Sequence, residues 1–267
     1  MREGRRPLLR QRLGQNAPTF CFKSNIPHPL VIELLSQYGV ACLWLDCEHM
    51  PTDQGTLAEL IRACRGFDID SLVRVPHGEL ALAARMLDAG ADALMYPRCR
   101  DAGAVRALVQ ATRFPPRGLR GVDTAVAATL LGAGGLGESL RREREDQVLI
   151  VQIETPQAVE AVDEIASVPG VDMLFVGPGD LSVELGLSFG FGLPLAPAIE
   201  QAIDTVARAA EAHGIAWGMP ALSLEHAAAL VQRGAALVAH GSDTSVLGKQ
   251  VARLVDDMAE LGIQSRP

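Results

Sequence analysis

At 267 residues the chain is long enough for one large domain or two small ones, and with 48% hydrophobic residues it can bury a sizeable core. A net charge of −8, with no basic stripe, argues against nucleic acid as a partner, and no run reaches the roughly 18 apolar residues a membrane helix needs. The five cysteines are odd in number and lack CxxC spacing, a pattern that suits the reduced cytoplasm and argues against a zinc knuckle.

The N-terminus, MREGRRPLLRQRLGQ, is basic but has no apolar core of signal-peptide length, and reads as a short solvated helix. Eight short apolar runs follow: 18–23 (PTFCFK), 41–46 (ACLWLD), 71–76 (SLVRVP), 93–98 (ALMYPR), 148–154 (VLIVQIE), 173–178 (MLFVGP), 216–220 (AWGMP) and 236–241 (ALVAHG). Most are apolar on both faces, which marks parallel strands covered by helices. Amphipathic segments separate them, at 28–38, 54–65, 79–89, 101–113, 157–166, 197–213 and 224–233, and one more follows at 244–261. Gly39, Gly90, Gly214 and Gly234 each close such a segment, as the residue just past a helix should.

Repeated strand–helix units predict parallel strands with right-handed crossovers, and eight of them predict a closed (β/α)8 TIM barrel, one α/β domain over residues 1–267. An open doubly wound sheet is the runner-up; the glycine-rich turn it usually carries after its first strand is absent. Two regions break the rhythm. Residues 114–147 are too long for a plain connection and suggest a loop with an inserted helix, a candidate lid, with RREREDQ (141–147) as a solvated face. Residues 182–197 form a glycine- and proline-rich excursion. Both are expected on the barrel's C-terminal rim or its flank.

In such a barrel the chemistry sits at the carboxyl ends of the strands. Asp46, Glu48 and His49 end the second run, Arg74 the third, Gln152 and Glu154 the fifth, and Asp180 follows the sixth in GPGDLS. The strand N-termini read as much poorer in such groups. Residues two apart on a strand face the same way, so Gln152 and Glu154 can share the barrel mouth. Glu154 and Asp180, from adjacent strands, can hold a hard divalent ion such as Mg²⁺ or Mn²⁺; they can equally be capping or salt-bridged acids. Arg74, inside an apolar strand, must meet an anion, either a substrate or a structural partner such as Asp46 or Glu48. His49 follows two acids that could keep it oriented and basic. Cys47 lies between Asp46 and Glu48, whose charges raise a thiol pKa, and reads as a small packing residue.

Taken together, WLDCEH (44–49), VRVP (73–76), LDAGADALMYPR (87–98), ATRFPPRGLRGV (111–122), VQIET (151–155), FVGPGDLS (175–182) and VAHGSDTSVL (238–247) make the sequence resemble the HpcH/HpaI family of class II, metal-dependent pyruvate aldolases. The pieces follow the family's order and spacing across nearly the whole chain. The resemblance implies a (β/α)8 barrel that exchanges its last helix between subunits and assembles as a homo-hexamer, a trimer of dimers. It implies that Glu154 and Asp180 bind Mg²⁺, Mn²⁺ or Co²⁺, that Arg74 contacts the keto oxygen of pyruvate, and that Gln152 and the N–H of Gly179 hold the pyruvyl group. His49, paired with Asp88, would move protons, and Asp46 and Glu48 would orient their neighbours.

The reaction so implied is reversible aldol cleavage of a 4-hydroxy-2-oxo acid to pyruvate and an aldehyde. Decarboxylation of oxaloacetate, or trapping of the resulting enolate in a biosynthetic step, is the alternative on the same scaffold; a non-catalytic metabolite-sensing oligomer is the alternative of another class. No Schiff-base lysine is then required, and of Lys23 and Lys249 only Lys23 is a credible amine. The sequence departs from the family pattern at DTAVAAT (123–129), which lacks an arginine, at FCFKSN (20–25), and at His240, which reads as a packed barrel histidine.

Overall fold

The computed structural model describes residues 6–127, 135–188 and 194–263. Strands β1 (Thr19–Ser24), β2 (Cys42–Asp46), β3 (Asp70–Arg74), β4 (Ala93–Tyr96), β5 (Val148–Ile153), β6 (Met173–Val176), β7 (Ala216–Pro220) and β8 (Leu237–Ser242) fall on the eight apolar runs. Each pairs in parallel with the next, and β8 pairs back onto β1, closing the ring as a (β/α)8 barrel. Helix α1 (Leu8–Leu13) precedes β1; α2 (Pro29–Ser36), α3 (Gln54–Gly66), α4 (Leu80–Asp88) and α5 (Ala102–Thr112) each follow one of the first four strands. Helix α6 (Gly135–Glu145) is inserted before β5, and α7 (Pro156–Glu160) and α8 (Val162–Ala166) follow it. Helices α9 (Pro178–Glu184) and α10 (Pro197–Ala212) follow β6, α11 (Leu224–Gln232) follows β7, and α12 (Asp243–Glu260) follows β8. No helix among the described residues is long and apolar enough to cross a membrane.

Local chemistry sets these boundaries. Asp53, Asp101, Thr155, Ser223 and Ser242 cap α3, α5, α7, α11 and α12 by accepting first-turn N–H bonds. Gly39, Gly90, Gly214 and Gly234 sit at positive φ past helix ends, as expected. The segment expected as one helix over 157–166 is two, broken at Ala161.

The strands are buried on both faces, which explains their continuous apolar character. Cys21, Trp44, Leu72, Ile150 and Phe175 point into the barrel, while Leu43, Leu45, Val73, Leu149 and Val151 pack outward under the helices. Trp44 meets Phe175 edge-on across the interior, with ring centroids 5.7 Å apart.

The lower end of the barrel corrects several expectations. Helix α1 is not merely solvated: Leu9 is fully buried in the inner core and its N–H donates to Asp70 Oδ2 at 2.6 Å. Nor are the strand starts poor in polar groups. Asp92 accepts the N–H of Ser71 at 2.9 Å and Asp172 that of Leu149 at 2.8 Å, extending the ladder where a neighbouring strand has run out. The insertion over 114–147 joins a helix end to a strand start, so α6 packs at this lower end and is not a lid on its own mouth; residues 128–134 lie outside the described set. RREREDQ is not a solvated face either. Glu143 and Asp146 are buried, Glu143 against Arg113 and Arg117 and Asp146 against Arg6 and Arg141.

Candidate active site

The inward face of the barrel changes character two residues above its apolar layer. Lys23 stands above Cys21, Asp46 above Trp44, Arg74 above Leu72, and Gln152 above Ile150. The same alternation that fills the interior therefore delivers charged groups to the mouth, at the strand ends.

Asp46 is the hub of one wall. Its Oδ1 accepts from Arg74 Nε at 3.0 Å and from the Glu48 N–H at 3.0 Å; its Oδ2 takes Arg74 Nη2 at 2.6 Å and the Lys23 ammonium at 2.7 Å. Burial alone would raise this carboxyl, but Arg74 and then Lys23 outweigh it and hold the acid down at about 2. Arg74 is almost fully buried and lies 4.7 Å over the Trp44 ring; Lys23 lies 5.1 Å from it. Arg74 Nη1 also stands 3.1 Å from Glu48 Oε2, an ion pair without hydrogen-bond alignment. Burial pushes Glu48 up despite that pairing, with Asp46 and Asp180 adding repulsion. Arg74 thus has both structural partners expected of it. Lys23 offers no free amine nucleophile, since its ammonium is engaged by Asp46.

The other wall carries Glu154 just past β5 and Asp180 in the first turn of α9. Glu154 is buried; its Oε1 accepts the Arg98 N–H at 2.9 Å and its Oε2 has no hydrogen-bond partner. Burial, then Asp180 and Glu48, raise its carboxyl to about 7. Gln152 Oε1 is also buried without a partner. Both side chains press on Gly177, where an added Cβ would lie 2.6 Å from Glu154 Oε2 and 2.9 Å from Gln152 Nε2. Only glycine fits that approach. Asp180 is about half exposed, 3.5 Å from Arg98 Nη1. Among the described residues no group of three or more His, Cys, Asp or Glu side chains could hold a metal. Glu154 and Asp180 alone would supply two carboxylates and leave further positions to non-protein oxygens. The unpartnered Oε2 of Glu154, with its raised pKa, fits a cation at this point.

Arg98 was not singled out by the sequence. It lies two residues past β4 with φ 55°, in the left-handed region; its N–H donates to Glu154, while its guanidinium pairs with Glu184 at 2.5 Å and reaches Asp180. A charged residue at a strand's carboxyl end was the available signal. His49 stands at the rim, 55% exposed and 3.7 Å from Glu48 Oε2. Asp88 does not join it. It ends α4, where helices run down to the barrel's lower end, and pairs there with Arg120 at 2.5 Å. Within one chain the His49–Asp88 pair is therefore not formed. Cys47 donates to Thr52 O at 3.0 Å, and burial followed by Asp46 pushes its thiol up, in keeping with a packing role. His240 bonds Ala221 O at 2.8 Å and is half-buried, also as expected.

The sequence profile of HpcH/HpaI aldolase/citrate lyase matches residues 20–249. A hydroxypyruvate/pyruvate aldolase of Deinococcus radiodurans is 36% identical over 248 residues, covering 92% of this chain and 87% of that protein. A 5-keto-4-deoxy-D-glucarate aldolase of Escherichia coli (strain K12 / DH10B) is 34% identical over 233 residues, covering 87% and 89%. The crystal structure of an HpcH/HpaI aldolase/citrate lyase family protein from Burkholderia cenocepacia superposes with a TM-score of 0.85 at 32% identity, covering 95% and 99%.

Proposed function

The chain belongs to the HpcH/HpaI aldolase/citrate lyase family and is an aldolase, and from that premise we propose that it makes and breaks the carbon–carbon bond of 4-hydroxy-2-oxo acids through the enolate of pyruvate, with a divalent cation held by Glu154 and Asp180. The observation that carries this reading is the buried Glu154 oxygen without a partner, beside a second carboxylate. Mg²⁺, Mn²⁺ and Co²⁺ all suit two carboxylates and open positions. When bound, such a cation would supply positive charge that stabilises an enolate.

The chain's own residues do the rest. Asp46 locks Arg74 through two hydrogen bonds, so its guanidinium meets developing charge on the keto oxygen without reorganising. Gln152 and the Gly179 N–H hold the carboxylate of the oxo acid. The N–H of Gly179 lies in the first turn of α9, where no preceding turn can accept it. Glu48 steadies His49 and Arg74, and His49 carries the proton at the rim. Because Asp88 lies at the opposite end of the barrel, it reaches His49 only when a second copy brings its lower face to this mouth. Helix α12 supports a homo-oligomer, a hexamer in the family's manner: Val246, Leu247, Val251, Leu254, Val255 and Met258 are exposed on it. Five free cysteines suit a reducing compartment such as the cytoplasm.

Proton NMR of pyruvate in D₂O tests the proposal. With Mg²⁺ present the enzyme should exchange the methyl protons, and EDTA or Glu154→Ala should abolish exchange. Turnover that ignores EDTA removes the cation from the mechanism.

A further inference from the structure

Lys23 carries a charge on the inner wall, paired with Asp46, that the proposed mechanism does not use. It stands inward on β1, in register with Trp44 of β2 and Ser242 of β8. In a closed ring of eight strands, β1 lies opposite β5, which carries Gln152. A substrate held by its 2-oxo acid end at β5 and β6 therefore extends towards the wall where Lys23 stands. Lys23 Nζ and Arg74 Nη2 share Asp46 Oδ2 at 2.7 and 2.6 Å, so the two nitrogens are at most 5.3 Å apart. An anionic group one or two carbons beyond the keto carbon can meet one cation while the keto oxygen meets the other.

Asp46 does not need Lys23 as a prop. Arg74 already bonds both of its oxygens, and the Glu48 N–H adds a third bond. An ammonium carries three N–H donors. Among the described residues Asp46 is the one anion against it, the Trp44 face lies beneath, and a quarter of the side chain is exposed in the mouth. Resting on the pyruvate-enolate reading above, we propose that Lys23 determines specificity by binding a second carboxylate of the substrate, either on the carbon lost from a dicarboxylic donor or on the aldehyde.

Four reactions of the Mn²⁺-loaded enzyme separate the possibilities: oxaloacetate decarboxylation, addition of pyruvate to glyoxylate, addition of pyruvate to uncharged glycolaldehyde, and pyruvate methyl-proton exchange. Lys23→Met should lower kcat/KM for a carboxylated partner at least tenfold more than for the two uncharged measures, chiefly through KM, and Lys23→Arg should restore most of it. Titration calorimetry should show the same selectivity, with 2-oxoglutarate losing affinity relative to 2-oxobutyrate. Selective loss with oxaloacetate places the second carboxylate on the donor; selective loss with glyoxylate places it on the acceptor. Equal losses in all four reactions would mean that Lys23 only props Asp46, and no loss would mean that it is idle; either overturns the proposal. Wild-type enzyme that exchanges no pyruvate protons overturns the enolate reading itself, and this inference with it.

Discussion

Glu154→Gln probes the wall that the cation is proposed to occupy. Burial, with Asp180 and Glu48 nearby, moves the Glu154 carboxyl from 4.5 to about 7. That is a shift of about 2.5 units, and at roughly 1.4 kcal/mol per unit the ionised form is about 3 kcal/mol less favourable in the folded chain than in the unfolded one. Linkage gives the sign. The folded pKa is raised, so stability is complete below pH 4.5 and declines as pH climbs through about 7. Glutamine keeps an oxygen for the Arg98 N–H and removes the titration. In EDTA the variant should nearly match the wild type at pH 5 and exceed it at pH 8 by up to about 3 kcal/mol, less the cost of amide donors without acceptors. At roughly 2–4 °C per kcal/mol, the gain in Tm at pH 8 is on the order of 5–10 °C. Mn²⁺ should reverse the order, stabilising the wild type and not the variant. Calorimetric melts at pH 5 and 8, each with EDTA and with Mn²⁺, read every arm. An equal gain at both pH values, or a lower Tm for the variant at pH 8 in EDTA, refutes the reasoning.

Asp46 runs the other way: its carboxyl falls from 3.8 to about 2, so its stabilisation, about 2 kcal/mol, is present above pH 3.8 and lost as pH falls through 2. Asp46→Asn leaves buried Arg74 with Glu48 as its remaining anion and should cost roughly 3 kcal/mol at pH 7, read by urea unfolding. On α12, Val251→Glu with Leu254→Glu places charge on its exposed apolar face, and light scattering should show the proposed homo-oligomer falling to smaller species. Coexpressed His49→Ala and Asp88→Ala chains should recover proton exchange that neither variant has alone; failure to recover it would argue against Asp88 acting across subunits.

The barrel was legible because each unit carries its own evidence: a doubly apolar run, an amphipathic return, and a glycine at positive φ where the helix stops. The mouth was legible for a related reason, since parity along β2, β3 and β5 assigns Asp46, Arg74 and Gln152 to the same side as buried Trp44, Leu72 and Ile150. What stayed hidden depends on geometry that parity does not encode. Arg98 matters to Glu154 through a main-chain N–H in a left-handed conformation, a contact indifferent to the side chain that names the residue. The roles of Asp92 and Asp172 are set by which strand N–H lacks a ladder partner, a property of the register that no local pattern carries. The insertion over 114–147 could have been placed from connectivity alone, because a segment between a helix and the next strand must lie below the barrel. Asp88 is a different case. Its own chain holds it against Arg120, and nothing in a single barrel directs it to His49. In the proposed assembly, the distance between the two would be set by the packing of one copy on another. On the proposed reading, the face that joins two copies would then complete the proton-carrying pair that a single barrel leaves open.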